Sequence, residues 1–168
     1  MRFKNEKNCL KQDIQNVFEK IPYSQAVLID LMTERNHLEN NETSKMFLNK
    51  NWWDVSGDVL DLGTPCPFLL GDISFRYFLP AFLLHALQNE HVSPVMDSVL
   101  DRLYLPKDEE CLEEFKQRYS MYTIEEKRIL LKLLKYIRHR CLHKDTELNR
   151  RIIERIDFSI ENFWSDFE

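Results

Sequence analysis

His139 and His143 have the spacing of a pair of metal ligands, and Cys141 lies between them. Residues four apart lie on one face of a helix, so the two imidazoles could share a metal ion. The same segment carries three basic residues, which are Arg138, Arg140 and Lys144. Their charges would repel a cation, and Cys141 would point elsewhere. We therefore interpret the segment as the solvated basic end of a helix and predict neither a metal nor a cofactor.

A second candidate site is a group of aspartates in and beside the segment that follows the two adjacent tryptophans. Its members are Asp54, Asp58, Asp61 and Asp72. Paired carboxylates could serve acid–base catalysis. A calcium loop, however, alternates its ligands ahead of a glycine, and the order Asp54-Val-Ser-Gly57-Asp58 does not fit that pattern. We interpret the group as helix caps and solvated loop residues, which are common roles of aspartate.

Ser74, His85 and Asp72 have the residue types of a hydrolase triad, but the sequence has no G-x-S-x-G elbow to position the serine. It also contains no phosphate-binding loop and no dinucleotide-binding glycine motif. His85 lies in an apolar segment, and we interpret it as a hydrogen-bonded core residue. Arg76 of that segment is expected to reach a carboxylate or the surface, because burying an unpaired guanidinium is costly.

The charges are unevenly distributed along the chain. The net charge is −5, yet residues 127–155 contain ten Lys or Arg and only three Asp or Glu. The densest acidic run consists of Asp108, Glu109, Glu110, Glu113 and Glu114. A basic face would suit phosphates, whereas an acidic face would suit a basic protein. Because phosphate-binding domains are usually basic overall, the acidity of the whole chain argues against a nucleic-acid partner.

Helices are expected to position these side chains. Only 3 of the 168 residues are Gly, and helix formers dominate, which argues against a many-stranded sandwich or barrel. The apolar segment Phe75–Leu87 is shorter than the about 20 residues of a membrane span, so it predicts a buried helix and no membrane association. We therefore predict the all-α class: a single-domain multi-helix bundle over residues 1–168, built around a buried central helix.

Apolar periodicity, prolines and capping residues predict the other helices. They run from Leu10 to Ile21, from Ser24 to Met32, from a Ser44 cap through Met46 to Trp53, from Pro94 to Leu103, from an Asp108 cap to Tyr119, from a Thr123 cap to Ile137, and from Leu148 to Phe167. Thr123 and Glu126 match a capping box. Pro80 is expected to kink the central helix or to start its second half. Residues 33–43 and 55–70 are predicted to be irregular.

The cysteines and the first residues indicate a cellular compartment. Cys9, Cys66, Cys111 and Cys141 are widely spaced and form no C-x-x-C pair. The first residues are polar, with no apolar run behind them, so we expect no signal peptide. We therefore predict buried, reduced thiols and a cytoplasmic location.

Three segments resemble those of an uncharacterised bacterial all-α family, a domain of unknown function. They are a tryptophan-containing stretch, Asn51–Val55, an aromatic Leu-Pro segment, Phe75–Phe82, and a segment that opens a late helix, Phe115–Thr123. The resemblance covers residues 8–140, and the last helix is expected to be an extension of the pattern or a variation on it. It implies an all-α fold and no known activity. In size, charge and solubility, the chain is also similar to immunity proteins of antibacterial toxin systems.

These observations favour a protein–protein interaction module and not an enzyme. Most concretely, we predict a cytoplasmic immunity protein, an antitoxin that binds and neutralises a bacterial toxin domain. The residues expected to bind this partner are Asp108, Glu109, Glu110, Glu113, Glu114, Trp52, Trp53 and Asp54.

Two alternatives remain open. The first is an enzyme of unrecognised class, whose site would need the convergence of Asp54, Asp58, Asp72, Arg76 and His85. The second is a nucleic-acid binder that uses the basic residues of 127–155, chiefly Lys132, Lys135, Arg138, Arg140, Arg150, Arg151 and Arg155.

Overall fold

The computed structural model describes residues 2–32, 45–61, 70–88, 94–143 and 145–168, and it contains no strand within these ranges. The α-helices are α1 (Arg2–Phe18), α2 (Gln25–Met32), α3 (Gly57–Asp61), α4 (Asp72–Ala86), α5 (Pro94–Leu103), α6 (Glu109–Ser120), α7 (Ile124–Cys141) and α8 (Glu147–Asn162). The 3-10 turns are Trp52–Asp54 and Trp164–Phe167. The predicted all-α class is confirmed. None of the described helices is both long enough and apolar enough to cross a membrane.

Backbone packing divides the chain into two compact units. The terminal unit consists of Met1–Asp13 and Leu103–Glu168, and the central unit consists of Ile14–Arg102. Helices α1 and α5 each supply residues to both units. That residues 1–168 form a single domain stays a prediction.

The core of the central unit is built on α4, most of whose residues are buried. The ring of Phe47 packs on Phe78 and Phe82, with centroids 4.7 and 5.9 Å away. Tyr23 meets Tyr77 edge-on, with ring centroids 5.3 Å apart. A helix that is apolar on nearly all sides must be enclosed by other elements. The predicted buried central helix is therefore confirmed.

Pro80 lies inside α4, which continues through it from Asp72 to Ala86. Because proline has no N–H, the carbonyl of Arg76 four residues earlier loses its usual helical donor. The sequence predicted that this helix starts at Phe75, but it begins three residues earlier, at Asp72. Asp72 occupies the first turn, where a carboxylate interacts favourably with the helix dipole.

The terminal unit is held together by α7, α8 and a cluster of aromatic rings. Two guanidinium nitrogens of Arg138 on α7 donate to the two carboxylate oxygens of Asp157 on α8, the second bond being 3.1 Å long. Trp164 is fully buried, and its Nε1 donates to the carbonyl of Leu103 at 3.0 Å. Its ring centroid lies 4.9 Å from that of Tyr119. This hydrogen bond links the last residue of α5 to the 3-10 turn that follows α8.

The predicted side-chain caps of the late helices are confirmed. Asp108 Oδ1 accepts from the backbone N–H of Cys111 at 3.1 Å, which caps α6. At the start of α7, Thr123 Oγ1 accepts from the N–H of Glu126 at 3.2 Å, and the Glu126 carboxylate accepts from the N–H of Thr123 at 3.1 Å. Thr146 caps α8 in the same way as Asp108 caps α6. Local sequence signals therefore set where these helices begin.

The helix predicted from Met46 to Trp53 is wrong. Residues 45–47 are helical, but Asn49 has a positive φ of 57°, and Trp52–Asp54 forms a separate 3-10 turn. A left-handed residue ends a right-handed helix, and asparagine is among the residues that adopt this conformation most readily.

Two other boundaries differ from the prediction. Helix α1 begins at Arg2 rather than at Leu10, because its polar first turns continue the helix that buries Leu10, Ile14 and Phe18. Helix α3 lies in the segment that was expected to be irregular. Residues 33–43 and the proposed Ser44 cap lie outside the described part of the chain.

The last helix ends at Asn162 rather than at Phe167. Its apolar stripe is also shorter than predicted, since Leu148 is 61% exposed while Ile152 and Ile156 are buried. Steps of four residues rotate about 40° around a helix each time, so a pure i, i+4 series drifts off the buried face.

The predicted burial of the thiols holds for only one described cysteine. Cys141 is buried, whereas Cys9 and Cys111 are exposed, and none of these three forms a disulfide. Both exposed residues lie on amphipathic helices, beside the buried stripe and not on it. Cys66 lies outside the described residues.

Candidate functional site

The acidic residues predicted to bind a partner lie on the outer side of α6 and at its N-cap. The helix turns Phe115 and Tyr119 into the core of the terminal unit. Because a turn has 3.6 residues, positions 109, 110, 113 and 114 lie on the opposite side of the helix from these two rings. All five acidic residues are exposed, and we refer to them as the acidic face: Asp108, Glu109, Glu110, Glu113 and Glu114.

The helix N-terminus favours negative charge at the acidic face. The hydrogen bond from the N–H of Cys111 lowers the pKa of the Asp108 carboxyl below its usual value. The two glutamates of the first turn lie where the helix dipole stabilises an anion. Among the described residues, the one ion pair at this face joins Glu113 Oε1 to Lys116 Nζ at 3.1 Å, and both side chains are exposed. The face therefore retains most of its negative charge.

Cys111 is an exposed thiol within the acidic face. Its hydrogen bond to Asp108, together with the nearby carboxylates of Glu110 and Glu114, raises the pKa of the Cys111 thiol. Neighbouring anions disfavour the thiolate, which is the reactive form of a cysteine. The thiol is therefore kept protonated at neutral pH.

The basic side chains of residues 127–155 are mostly paired. Five of the seven candidates for nucleic-acid binding form ion pairs, which are Lys132–Asp13, Lys135–Glu168, Arg138–Asp157, Arg150–Asp145 and Arg151–Glu147. The other two, Arg140 and Arg155, lie against tyrosine rings. The exposed pairs among them contribute little stability, but all five offset positive charge. Most of the basic side chains named here are therefore compensated by carboxylates of the same unit.

The two adjacent tryptophans, which belong to the central unit, have different environments. Trp52 is 5% exposed, whereas Trp53 is 55% exposed, and their rings meet edge-on with centroids 5.4 Å apart. Asp54 is exposed, and its Oδ2 accepts from Asn51 Nδ2 at 2.9 Å. Trp53 and Asp54 are thus available as partner contacts. Trp52 is a core residue with little surface to offer, and its role as a partner contact stays a prediction.

The residues of the alternative enzyme site do not all converge. Asp72 and His85 lie at opposite ends of α4, about 20 Å apart at 1.5 Å per residue. Asp72 Oδ1 instead pairs with Arg102 Nη2 at 3.0 Å. His85 packs against Gly57, where an added Cβ would lie 3.2 Å from His85 Cε1. Ser74 is also far from His85 on the same helix, so these side chains do not form a triad.

The predicted proximity of His139 and His143 is confirmed, since their ring centroids are 5.4 Å apart. His139 Nδ1 lies 3.6 Å from Glu6 Oε2 on α1. Cys141 points into the core. Within the described part of the chain, no three potential metal ligands come together.

Two concave surfaces of the terminal unit are not evident from the sequence. One is an open groove of about 390 Å³ between α1 and α7. Each helix lines it with residues at i, i+3, i+4 and i+7, which begin at Glu6 on α1 and at Lys132 on α7. The pairs of Asp13 with Lys132 and of Glu6 with His139 join its two sides. Helical spacing could have indicated each half of this groove but not their pairing.

The second concave surface is a cavity of about 380 Å³ between residues 104–107 and α8. Lys107 and Arg155 contribute positive charge to its lining, and Glu154 contributes a carboxylate. The rings of Tyr104 and Phe158 complete it. No local pattern connects these two segments, which lie about fifty residues apart in sequence.

Comparison with known proteins gives a family assignment. The chain matches no curated protein sequence and no solved structure. It does match the model of a protein family over residues 6–166. The match continues through α8, beyond the residues 8–140 that the resemblance covered, so this helix lies within the family pattern. The chain belongs to the family of unknown function DUF6714.

Proposed function

We propose that this protein is a protein–protein interaction module whose acidic face binds a basic surface of its partner. One observation carries the proposal: the acidic face keeps its charge, whereas the basic region is offset by neighbouring carboxylates. Uncompensated surface charge steers partners of opposite charge and selects among them. A basic protein surface is therefore a better match than a polyphosphate.

The backbone beneath the acidic face supports this role. Asp108 caps α6, and Phe115 packs on Tyr119 with ring centroids 4.7 Å apart. Charges mounted on a fixed helix bind with less ordering of the backbone than charges on a loop. The face therefore presents its carboxylates in a defined arrangement.

Trp53 is a second proposed contact. Tryptophan is among the residues that contribute most to binding energy at protein interfaces. A ring that is 55% exposed in the free protein can lose much of this apolar surface to a partner. Asp54 beside it would add a further negative charge.

The most concrete form of the proposal is an immunity protein of the bacterial cytoplasm. A toxin that acts on nucleic acid needs a basic surface to bind phosphates. An acidic helix that covers this surface would block the substrate. The small size, the helical fold and the net charge of −5 suit such a role.

Co-expression with the product of the neighbouring open reading frame tests the proposal. The design compares the wild type with a variant that changes Glu109, Glu110, Glu113 and Glu114 to Gln. A control variant makes the same change in charge at exposed acids elsewhere, by changing Glu19, Glu125, Glu161 and Asp166 to their amides. We expect the wild type and the control to restore growth and to copurify with the toxin, and the acidic-face variant to lose both properties.

Equal growth with and without the protein would remove the immunity role. Full protection by the acidic-face variant would remove the assignment of the binding surface. A parallel titration with duplex DNA and RNA at low salt addresses the alternative function. Tight retention of either nucleic acid would favour the basic region over the acidic face.

A further inference from the structure

The cavity between residues 104–107 and α8 has the features of a small-molecule site. Its volume of about 380 Å³ falls within the range of roughly 300–1,000 Å³ that is usual for ligand pockets. Two cations, Lys107 and Arg155, line it together with a single carboxylate, Glu154. The local charge is therefore positive, in a protein whose net charge is negative.

Aromatic rings position both cations. Arg155 Cζ lies 3.8 Å from the ring centroid of Tyr104, and Lys107 Nζ lies 5.1 Å from that of Phe158. These distances are those of cation–π contacts. A guanidinium carries five N–H donors, and Arg155 lines the cavity. Arg155 can therefore donate to an anion that enters the cavity.

Hydrogen bonds through a buried serine hold the two walls of the cavity together. The N–H of Leu105 donates to Ser159 Oγ at 2.8 Å, and this hydroxyl donates to the carbonyl of Arg155 at 2.7 Å. Ser159 is fully buried. The segment that carries Lys107 is therefore fixed to the helix that carries Arg155, so binding requires little reorganisation of the backbone.

We propose that this cavity binds a small organic anion, a carboxylate with an aromatic or aliphatic body. The carboxylate would meet the edge of Arg155 and the ammonium of Lys107, and the body would pack on Phe158 and Pro106. The two cations of the lining outnumber its one carboxylate, which favours an anionic ligand. This site is independent of the acidic face and does not rest on the proposed function.

Titration of the wild-type protein with two isosteric probes tests the proposal. Benzoate carries the proposed charge, and benzamide is its neutral counterpart. Backbone amide chemical shifts of Leu105 and Lys107 are followed by NMR. We expect saturable shifts with benzoate, with a dissociation constant on the order of 1–10 mM, and binding of benzamide at least about tenfold weaker. Equal binding of the two probes, or the absence of saturation with benzoate, would overturn the proposal.

Inorganic phosphate serves as a compact anion without an apolar body. We expect it to bind more weakly than benzoate, because it makes no contact with Phe158. Phosphate that binds as tightly as benzoate would overturn the assignment of an organic ligand.

Three variants locate the site. Arg155→Gln and Lys107→Gln each remove one cation and are expected to weaken benzoate binding at least about tenfold. Arg150→Gln is the matched control, since Arg150 lies on the same helix and pairs with Asp145 away from the cavity lining. Undiminished binding in both cavity variants would contradict the site. The comparison of probes on the wild type decides the case if a variant fails to fold.

Discussion

The carboxylate of Asp30, a residue of α2, caps the N-terminus of α4 by accepting hydrogen bonds from Ser74. Its Oδ2 accepts from the backbone N–H of Ser74 at 2.9 Å, and the Ser74 hydroxyl donates to the same oxygen. The N-cap position of α4 is Gly71, which has no side chain to fill this role. The missing cap is thus supplied from α2, 44 residues earlier in the chain. This arrangement satisfies an orphan donor of the buried helix and fixes α2 against it.

The close approach of Asp30 predicts that Gly71 tolerates no side chain. A Cβ at Gly71 would lie 2.2 Å from the carboxylate oxygens of Asp30. We expect Gly71→Ala to lower the free energy of unfolding by about 1–3 kcal/mol, as measured by urea denaturation. Asp30→Ala should cost about 1 kcal/mol by loss of the cap. The double variant has no clash, so its loss of unfolding free energy should be smaller than the sum of the losses in the two single variants. Additive losses would contradict this account.

The capping box at α7 predicts a graded response at Thr123. Thr123→Ala removes the acceptor for the N–H of Glu126 and should cost about 0.5–2 kcal/mol. Thr123→Ser keeps the hydroxyl and should stay close to the wild type. Thermal or urea denaturation of the three proteins gives the comparison. Equal loss in both variants would show that the methyl group, and not the cap, stabilises this site.

The electrostatics of the acidic face predict a change in thiol reactivity. Because Asp108 raises the pKa of the Cys111 thiol, Asp108→Asn should increase the thiolate fraction near pH 8. Cys111 should then react faster with iodoacetamide, as followed by mass spectrometry of the labelled peptide. Cys9 is exposed on α1 and provides an internal control within each sample. An unchanged or slower rate at Cys111 would count against the proposed hydrogen bond.

The burial of the Tyr136 phenol predicts that the folded protein loses stability at high pH. Burial raises the pKa of its phenol above 10.0, and the opposing effect of Arg140 is smaller. The native state therefore keeps this proton where the unfolded chain has lost it. The stabilising contribution is complete below pH 10 and disappears as the pH rises through the folded pKa.

Ultraviolet titration of tyrosinate measures this difference. We expect Tyr136→Phe to remove one late-ionising group and to leave the early part of the curve unchanged. Unfolding monitored across the same pH range should show a shallower alkaline decline for this variant. Burial raises the pKa of the Tyr77 phenol as well, so part of the late titration remains in the variant. If the amplitude of the late part is unchanged by the substitution, the assignment to Tyr136 is wrong.

Elements with strong local signals were the most predictable part of the fold. Pro94 begins α5, and Asp108 and Thr123 begin the next two helices, because a capping residue acts on backbone groups within its own first turn. The acidic face was predictable for the same reason. Alternation of acidic residues with Phe115 and Tyr119 on one helix is enough to place the charges outside.

Features that depend on distant residues were not predictable. Trp164 is the most deeply buried large side chain after α8, yet the apolar periodicity pointed to Phe163 and Phe167 instead. Its ring packs on Tyr119, and its buried N–H donates to the carbonyl of Leu103, 61 residues earlier. The cap from Asp30 and the cavity beside Arg155 likewise need contacts between segments far apart in sequence. No periodicity within one helix contains this information.

The order in which the two units can fold follows from which segments of the chain form each of them. The central unit is one continuous stretch, Ile14–Arg102, whereas the terminal unit combines Met1–Asp13 with Leu103–Glu168. On a ribosome the central unit is fully synthesised roughly 60 residues before Trp164 is added. The first residues of α1 must therefore wait for partners such as Lys132, which is added 119 residues after Asp13. Translation pauses within α6 or α7 would leave the central unit complete and the terminal unit unfinished, and would expose the aromatic residues that pack on Trp164.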